Sequence, residues 1–528
     1  MIVYLYVMDR RLKKGLITGL AVLSVLIIGS LVLNTVIENK LKARLAHISK
    51  TIKIQYQDIN VNVLTGCVMI IQPKLWVYGK TTQEMIAQIE LNELSINDIS
   101  YWNYLFKNKI AIKNISFDKP KAIYHHNKLV NLESSQKSYT NALDNDVEIG
   151  AIEIINGDVG IFSVDKDSLM VKAKDVNFKI NAVGINKSSL KQKIPFTFGS
   201  YKLTYNDMFY VMNDFENLSM NAADFNTDFY KIQNLAIKTK YSPVDLSNQI
   251  AVERDHFNLT VDTILVKSHG FGFKNDSTFY FKSSEVDLYQ PNFKVYRDKL
   301  VEDDLSYKPL YSKALRHLNF DLLLEHVDIH QASIVYTEKV REDTNGGRLE
   351  FSNLTAAISN LGNTAEESET SIHIEGIFME NTPIKVDWNF NVKDTNDEFV
   401  FKADIGNLAA SHMNQFMEPN LNVKLNGEVE QTYFTINGND HTSRIDLEMK
   451  YDNFNIAILR QDGKKKNKFL SAIANLFVSS DSKDKVNDYR HGNAKDVERD
   501  KTKSVFNYLW LNIKATLLNA MTGDGEKS

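Results

Sequence analysis

The chain has 528 residues, 43% hydrophobic and 24% charged, with a formal net charge of −4. That balance is globular rather than disordered, gives no basic footprint for nucleic acid, and leaves too little Pro and Gly for collagen-like or Pro-rich architectures. Cys67 is the sole cysteine, which excludes an internal disulfide and any cysteine-based zinc cluster.

The first element is apolar. Met1 to Met8, MIVYLYVM, is a short apolar leader, with Met8 an alternative start to Met1. Gly15 to Ile37, GLITGLAVLSVLIIGSLVLNTVI, carries no charged side chain. A membrane-spanning helix needs about 20 mainly apolar residues to cross a hydrocarbon core of about 30 Å. Arg10, Arg11, Lys13 and Lys14 precede the run, and Glu38, Lys40, Lys42 and Arg44 follow it. A cleaved signal peptide has an apolar region of about 7–15 residues and a small-x-small exit. This run is longer, and Leu33 to Ile37 offers no such site, so an uncleaved anchor is the stronger reading. Basic residues on both sides leave orientation to the following domain, since long domains translocate largely regardless of charge. The expectation is a cytoplasmic N-terminus (1–14), a transmembrane helix (15–37) and a large external domain. Roughly 490 residues follow the span, enough for more than one ordinary domain.

The body reads mostly as β. In Thr51 to Val63, Ile52, Ile54 and Tyr56 alternate, then Ile59, Val61 and Val63, with a one-residue slip between the triplets. Such a slip turns side chains to the other face unless a bulge or bend absorbs it. The slip recurs as apolar positions at i, i+2, i+5 and i+7, a small residue or Pro at i+10, and apolar positions at i+12 and i+14. One copy is Ile110, Ile112, Ile115, Phe117, Pro120, Ala122, Tyr124. A second is Val147, Ile149, Ile152, Ile154, Gly157, Val159, Ile161. A third is Leu322, Leu324, Val327, Ile329, Ala332, Ile334, Tyr336. A weaker fourth is Leu259, Val261, Ile264, Val266, Phe271, Phe273. Unequal gaps exclude a strict solenoid period. Two readings stay open: chance recurrence of amphipathic strands, or one supersecondary unit reused along an extended sheet.

Helical patterns are few. Ser100 to Phe106, SYWNYLF, fits one or two turns. Phe469, Leu470, Ile473, Leu476 and Phe477 form an amphipathic stripe, as do Phe506, Leu509, Trp510, Ile513 and Leu517. Ser479 to Lys503, charged and without apolar period, reads as an exposed connector. The expected fold is mainly β: an extended curved sheet, a groove, with short helices, preceded by one transmembrane helix. It divides into an N-terminal β region (38–135), an extended repeated sheet (136–460) and C-terminal amphipathic helices with a charged connector (461–528).

Catalytic and metal-binding motifs are missing from the sequence. There is no H-E-x-x-H, G-x-S-x-G, Walker A or G-x-G-x-x-G pattern. His326 and His330 sit four apart on a predicted strand, which gives them one solvent-facing edge. His125 and His126 point to opposite faces if extended. Gly270-Phe271-Gly272 and Gly346-Gly347 read as turns or bulges. Asp303-Asp304 and Glu366-Glu367 fall in polar loops. Lys464, Lys465 and Lys466 precede the stripe at Phe469, a pattern that suits either an anionic membrane surface or a solvated loop before a core-plugging helix. Trp510 suits either an interface or packing on the sheet. No catalytic, cofactor or metal site is assigned.

A sheet with a consistently apolar face must bury it against helices, a second sheet or acyl chains. With few long amphipathic helices available, the sheet curls on itself, its interior filled by side chains or open to lipid. The segment IQYQDINVNVLTGCVMIIQP (Ile54 to Pro73), followed by Lys74-Leu75, resembles the opening strands of the AsmA-like family. IAIKNISFDKPKAIYHHN (Ile110 to Asn127) resembles the recurring unit of that family, and GRLEFSNLTAAISNL (Gly347 to Leu361) and the ending SVFNYLW (Ser504 to Trp510) are similar to its branch of Bacteroidetes-type envelopes. The resemblance implies a periplasmic domain anchored in the inner membrane, a curved sheet with an apolar interior, and a role in outer-membrane biogenesis and phospholipid movement. It carries no catalytic residues.

The leading expectation is therefore a non-enzymatic envelope protein that binds phospholipid acyl chains along its apolar face. Ile110, Ile112, Ile115, Phe117, Ile152, Ile154, Leu322, Leu324, Val327 and Ile329 would face lipid, and Lys464, Lys465, Lys466, Phe469 and Trp510 a membrane surface. The alternative is a membrane-tethered scaffold with a closed β core that binds outer-membrane or periplasmic proteins. Nucleic acid is not an expected partner.

Overall fold

The structure, a computed structural model, describes residues 10–46, 51–79, 84–126, 145–163, 168–275, 277–364, 369–459, 482 and 488–522. Over these residues the chain is mainly β, as the alternation predicts. It divides into two compact units, Met1–Val211 with Ala222–Thr227 and Met212–Asn221 with Asp228–Ser528.

The first unit begins with α1, Arg10–Ala46. Its backbone takes in all of Gly15 to Ile37. Among the described residues no helix is long and apolar enough to cross a membrane. Within this run, the side chains of residues 15–23, 25 and 26 lie outside those described.

Four broken strands follow. β1 (Ile52–Gln55) and β2 (Asp58–Asn62) are two halves of one strand, as are β3 (Cys67–Ile71) and β4 (Lys74–Tyr78). β5 (Met85–Glu90) and β6 (Glu93–Ile99) form the third, and after helix α2 (Tyr101–Lys107), β7 (Lys109–Asp118) and β8 (Lys121–His126) form the fourth. The halves keep their neighbours across each break. β3 lies between β2 and β6, and β4 between β1 and β5, all antiparallel. β6 and β5 then pair antiparallel with β7 and β8. β9 (Asp146–Ser163) runs parallel to both β7 and β8. β10 (Ser168–Ile185) and β11 (Ser200–Val211) return antiparallel.

The slip before i+10 is a left-handed kink on the copies' own strands; beside the slip between i+2 and i+5, the antiparallel neighbours β6 and β10 carry the kink. Asp98 (φ 62°) and Ala182 (φ 54°) mark the slip between i+2 and i+5; Lys119 (φ 47°), Asn156 (φ 51°) and Asp175 (φ 50°) mark the one before i+10. One extra residue at each kink brings the next apolar side chain back to the same face.

β12 (Glu216–Asn226) is divided between the units. The second unit continues with β13 (Phe229–Thr239), α3 (Pro243–Gln249), β14 (His256–Lys274), β15 (Thr278–Tyr289) and β16 (Asn292–Asp298). Then come α4 (Tyr311–Arg316), β17 (Asp321–Lys339), β18 (Gly347–Gly362), β19 (Glu369–Phe378) and β20 (Thr382–Asn391). β21 (Phe399–Ile405), β22 (Leu408–Ala409), α5 (Asn414–Leu421), β23 (Val423–Gly438), β24 (Thr442–Ile458), β25 (Arg490–Glu498) and α6 (Val505–Thr522) complete it.

Here the first unit's arrangement is repeated. β15 and β16 are halves of one strand, antiparallel to β14 and parallel to β17, which pairs antiparallel with β18. Ser268 and Asn360 carry the first row of kinks, and Gln290, Gln331 and Asn353 the second, all with φ of 47–57°. The backbone bonds match as well. Lys119 N–H donates to Ile155 O at 2.8 Å and Asp158 N–H to Pro120 O at 2.7 Å. Gln290 N–H donates to His330 O and Ser333 N–H to Pro291 O, both at 2.8 Å. Of the two open readings, one reused unit is the one this geometry favours. Its Pro-broken strand in the second unit is a copy the sequence reading missed: Phe281, Ser283, Val286, Leu288, Pro291, Phe293, Val295. The weak fourth copy on β14 is its antiparallel neighbour.

Three expectations need correction. Within Ser479 to Lys503, Arg490–Glu498 is a strand of the sheet and not an exposed connector; its inward positions over Leu447 and Ile445 are Gly492 and Ala494, too small to give an apolar period. Gly270 and Gly272 form neither a turn nor a bulge but regular strand, and Gly272 leaves room for the ring of Tyr280 opposite. Phe506 and Trp510 do not share the buried stripe of α6, which is Val505, Tyr508, Leu509, Asn512 and Thr516. Glu366-Glu367 and the stripe from Phe469 to Phe477 lie outside the described residues.

Candidate functional site

The kinked strands bring their apolar positions together laterally. In the first unit Ile110, Ile112, Ile115 and Phe117 stand beside Val147, Ile149, Ile152 and Ile154, position for position. β10 continues the same rows with Ile185, Val183, Ile180 and Phe178. Ile149, Ile180 and Val183 are buried, and Ile112, Ile115 and Ile152 pack with them while only half-buried themselves. Ile110, Phe117 and Ile154 are also half-buried. The chain after β10 folds back on this cluster. Phe196 and Phe198 join it, and Phe198 meets Tyr201 edge-on at 5.9 Å. Sequence reasoning missed these two aromatics, which sit in an irregular segment without strand period.

In the second unit one apolar row crosses ten strands. It runs Val266, Val286, Val327, Ile358, Ile372, Trp388, Phe401, Ile436, Ile445, Ala494, each paired with the next. Its cover changes along the way. Ile436 and Ile445 are 0% exposed, in a closed core with Leu310 before α4, Met417 of α5 and Tyr508 of α6. Val266, Ile358 and Ile372 are half-buried. Of the predicted lipid-facing residues here, Val327 is buried, and Leu322, Leu324 and Ile329 are half-buried. Of the ten predicted positions, six lie in the first unit and four in the second.

Lys464, Lys465, Lys466 and Phe469 lie outside the described residues. Trp510 is 41% exposed, on the outer side of α6.

Polar groups line the kinks. Exposed Asn234, Asp262, Gln290, Gln331 and Asn353 border a shallow depression of about 750 Å³ in the second unit. Its chemistry is amide and hydroxyl, with Lys238 and Asp262 the only charges. Nearby, His330 stacks on Tyr289 at 4.6 Å and its Nε2 lies 3.0 Å from Asp287. Burial works against the charge of Asp287, but hydrogen bonds from His330 and Lys267 outweigh it and hold the carboxyl below its ordinary range. Among the described residues no three His, Cys, Asp or Glu side chains gather to hold a metal ion.

The fold and face define a β protein whose repeated, kinked strands present apolar rows, one of them closed by helices over its C-terminal strands and mixing buried with half-buried side chains before them. No protein-family model matches the chain, and no curated protein matches it significantly.

Proposed function

We propose that this chain is a non-enzymatic lipid-handling protein of the bacterial envelope, anchored in the inner membrane by Gly15 to Ile37, with its β units in the periplasm. The observation that carries the reading is the change of cover along one apolar row. Where the row reaches Ile436 and Ile445, helices close it; nearer its start Val286 and Val327 are buried, while Val266, Ile358 and Ile372 are half-buried and keep access to a nonpolar guest. A half-covered apolar row is costly in water and is stabilised by acyl chains, at roughly 0.8 kcal/mol per methylene buried. The continuous helix through Gly15 to Ile37 and the resemblance to the AsmA-like family support the location, a sheet curved into a groove, and a part in outer-membrane biogenesis through phospholipid movement.

The second reading, a tethered scaffold that binds envelope proteins, draws on the closed core of the C-terminal strands. A photo-crosslinking residue separates the two. Placed at Ile152 or Ile329 it should capture phospholipid, while at the neighbouring positions Glu153 and Asp328 it should not. Absence of lipid adducts at both apolar positions, with the chain folded, would remove the lipid reading.

A further inference from the structure

Helix α2 turns its apolar side chains outward. Trp102, Leu105 and Phe106 are 64%, 69% and 66% exposed, and no residue of the helix is buried. The rings of Trp102 and Phe106, one turn apart, lie 4.2 Å from each other. Leu64, on the turn between β2 and β3, is 72% exposed. Single exposed apolar residues are ordinary; a cluster of this kind marks a surface that meets another apolar phase.

The turn and the helix are held at one level of α1. Val63 N–H donates to the Asn34 side-chain oxygen at 2.8 Å, which ties the turn to α1. Ile99 N–H donates to Gly66 O at 2.9 Å, which ties the turn to the end of β6. Ser100 then caps α2, its hydroxyl accepting from Asn103 N–H. Asn34 lies three residues before the end of the uncharged run, about 5 Å along the axis at 1.5 Å per residue. On one side of it α1 exposes Ile27, Ile28, Leu31 and Val32; on the other stand Lys40 and Arg44. Asn34 therefore marks the depth at which apolar chains give way to headgroups, the level Trp and Tyr prefer.

Resting on the anchor reading above, we propose that α2 and the Leu64 turn form a second membrane contact, seated in the headgroup boundary of the bilayer that α1 crosses. The occupant is lipid: the patch is aromatic and aliphatic, and its only charge is Lys107 in the last turn, suited to a headgroup phosphate. The contact would fix the first strands of the sheet at the membrane surface, where acyl chains enter.

The test uses the full chain in phosphatidylethanolamine–phosphatidylglycerol vesicles carrying lipid brominated at different depths. Subtracting the spectrum of a Trp102→Phe variant isolates the emission of Trp102. The expected result is strong quenching by lipid brominated near the headgroup and weaker quenching by lipid brominated near the chain end. Co-flotation with vesicles but no quenching of Trp102 would overturn the placement and leave the anchor standing. Emission shielded from aqueous quencher yet untouched by brominated lipid would assign the patch to a protein and overturn it too. Failure to co-float would sink the anchor and the placement together.

Discussion

Ile115 and Ile152 stand opposite each other across a parallel pair of strands, each at the third apolar position of the same spacing. Val286 and Val327 repeat that relationship in the second unit. Parallel neighbours in matching register line up like positions, so a shared slip becomes a row of kinks and the apolar face survives it. The consequence is lateral packing of side chains along a face whose outer cover differs from place to place.

That difference predicts two outcomes for one substitution. Ile445→Asp puts an unpaired charge in a closed core and should unfold the second unit, at a cost above about 4 kcal/mol. Ile152→Asp and Ile329→Asp, on half-buried positions, should leave a cooperative thermal transition and abolish captured lipid. If all three variants unfold alike, the face is an ordinary core and the lipid reading fails.

The kinks predict an inverted preference at strand positions. Gln331 has φ 54°, where a β-branched side chain is strained and glycine is not. Gln331→Val should destabilise by about 1–2 kcal/mol, whereas Gln331→Gly should remain within a few tenths. Chemical denaturation midpoints of the two variants decide it; equal midpoints would mean the kink is not held in solution.

Helix α6 predicts a contrast between adjacent aromatics. Tyr508 is 1% exposed against the closed core and Trp510 is 41% exposed. Tyr508→Ala should cost about 3–5 kcal/mol, and Trp510→Ala less than about 0.5. Quenching of Trp510 emission by brominated lipid, isolated by subtracting the spectrum of a Trp510→Phe variant, would give Trp510 the membrane role its sequence pattern suggested.

Much of this was readable in the residues. Two-residue alternation located the strands, SYWNYLF the short helix, and the slip the kinks. Several kinks rest on Asp98, Asn156, Asp175, Asn353 and Asn360, types that tolerate the left-handed region; Lys119, Gln290 and Gln331 have no such preference, and the following Pro120 and Pro291 betray two of them. Ser283 hid a copy because its hydroxyl, donating to Lys267 O at 2.7 Å, replaces an apolar side chain. The inner face of α6 includes Asn512, bonded to Ser443 at 2.9 Å, so a count of apolar residues found Leu509, Ile513 and Leu517 but added the exposed Phe506 and Trp510. Which stretch of a row is closed depends on strands far apart in sequence, and local pattern carries no record of it.

The closed end also contains an acid-sensitive charge. Asp440 is buried and paired with Arg499, whose side chain is fully buried, with Lys501 at 3.0 Å, Tyr307 at 3.2 Å and Lys313 at 3.8 Å around it. Burial works against its ionisation, but the bond from Lys501 and the charges of Arg499, Lys501 and Lys313 hold the carboxyl below its ordinary value of 3.8. A lowered folded-state value means the stabilisation is complete above about pH 4 and is lost as pH falls through the folded value. Asp440→Asn should therefore cost about 3–5 kcal/mol at neutral pH, because Arg499, still bonded to Lys308 O, keeps its buried charge without a carboxylate to balance it. The variant should also lose part of the acid dependence of unfolding. Replacing both residues, as Asp440→Leu with Arg499→Met, should cost less than Asp440→Asn alone. Urea midpoints between pH 3 and 7 for the three proteins check the argument; an acid dependence unchanged in Asp440→Asn would place the sensitive carboxylate elsewhere.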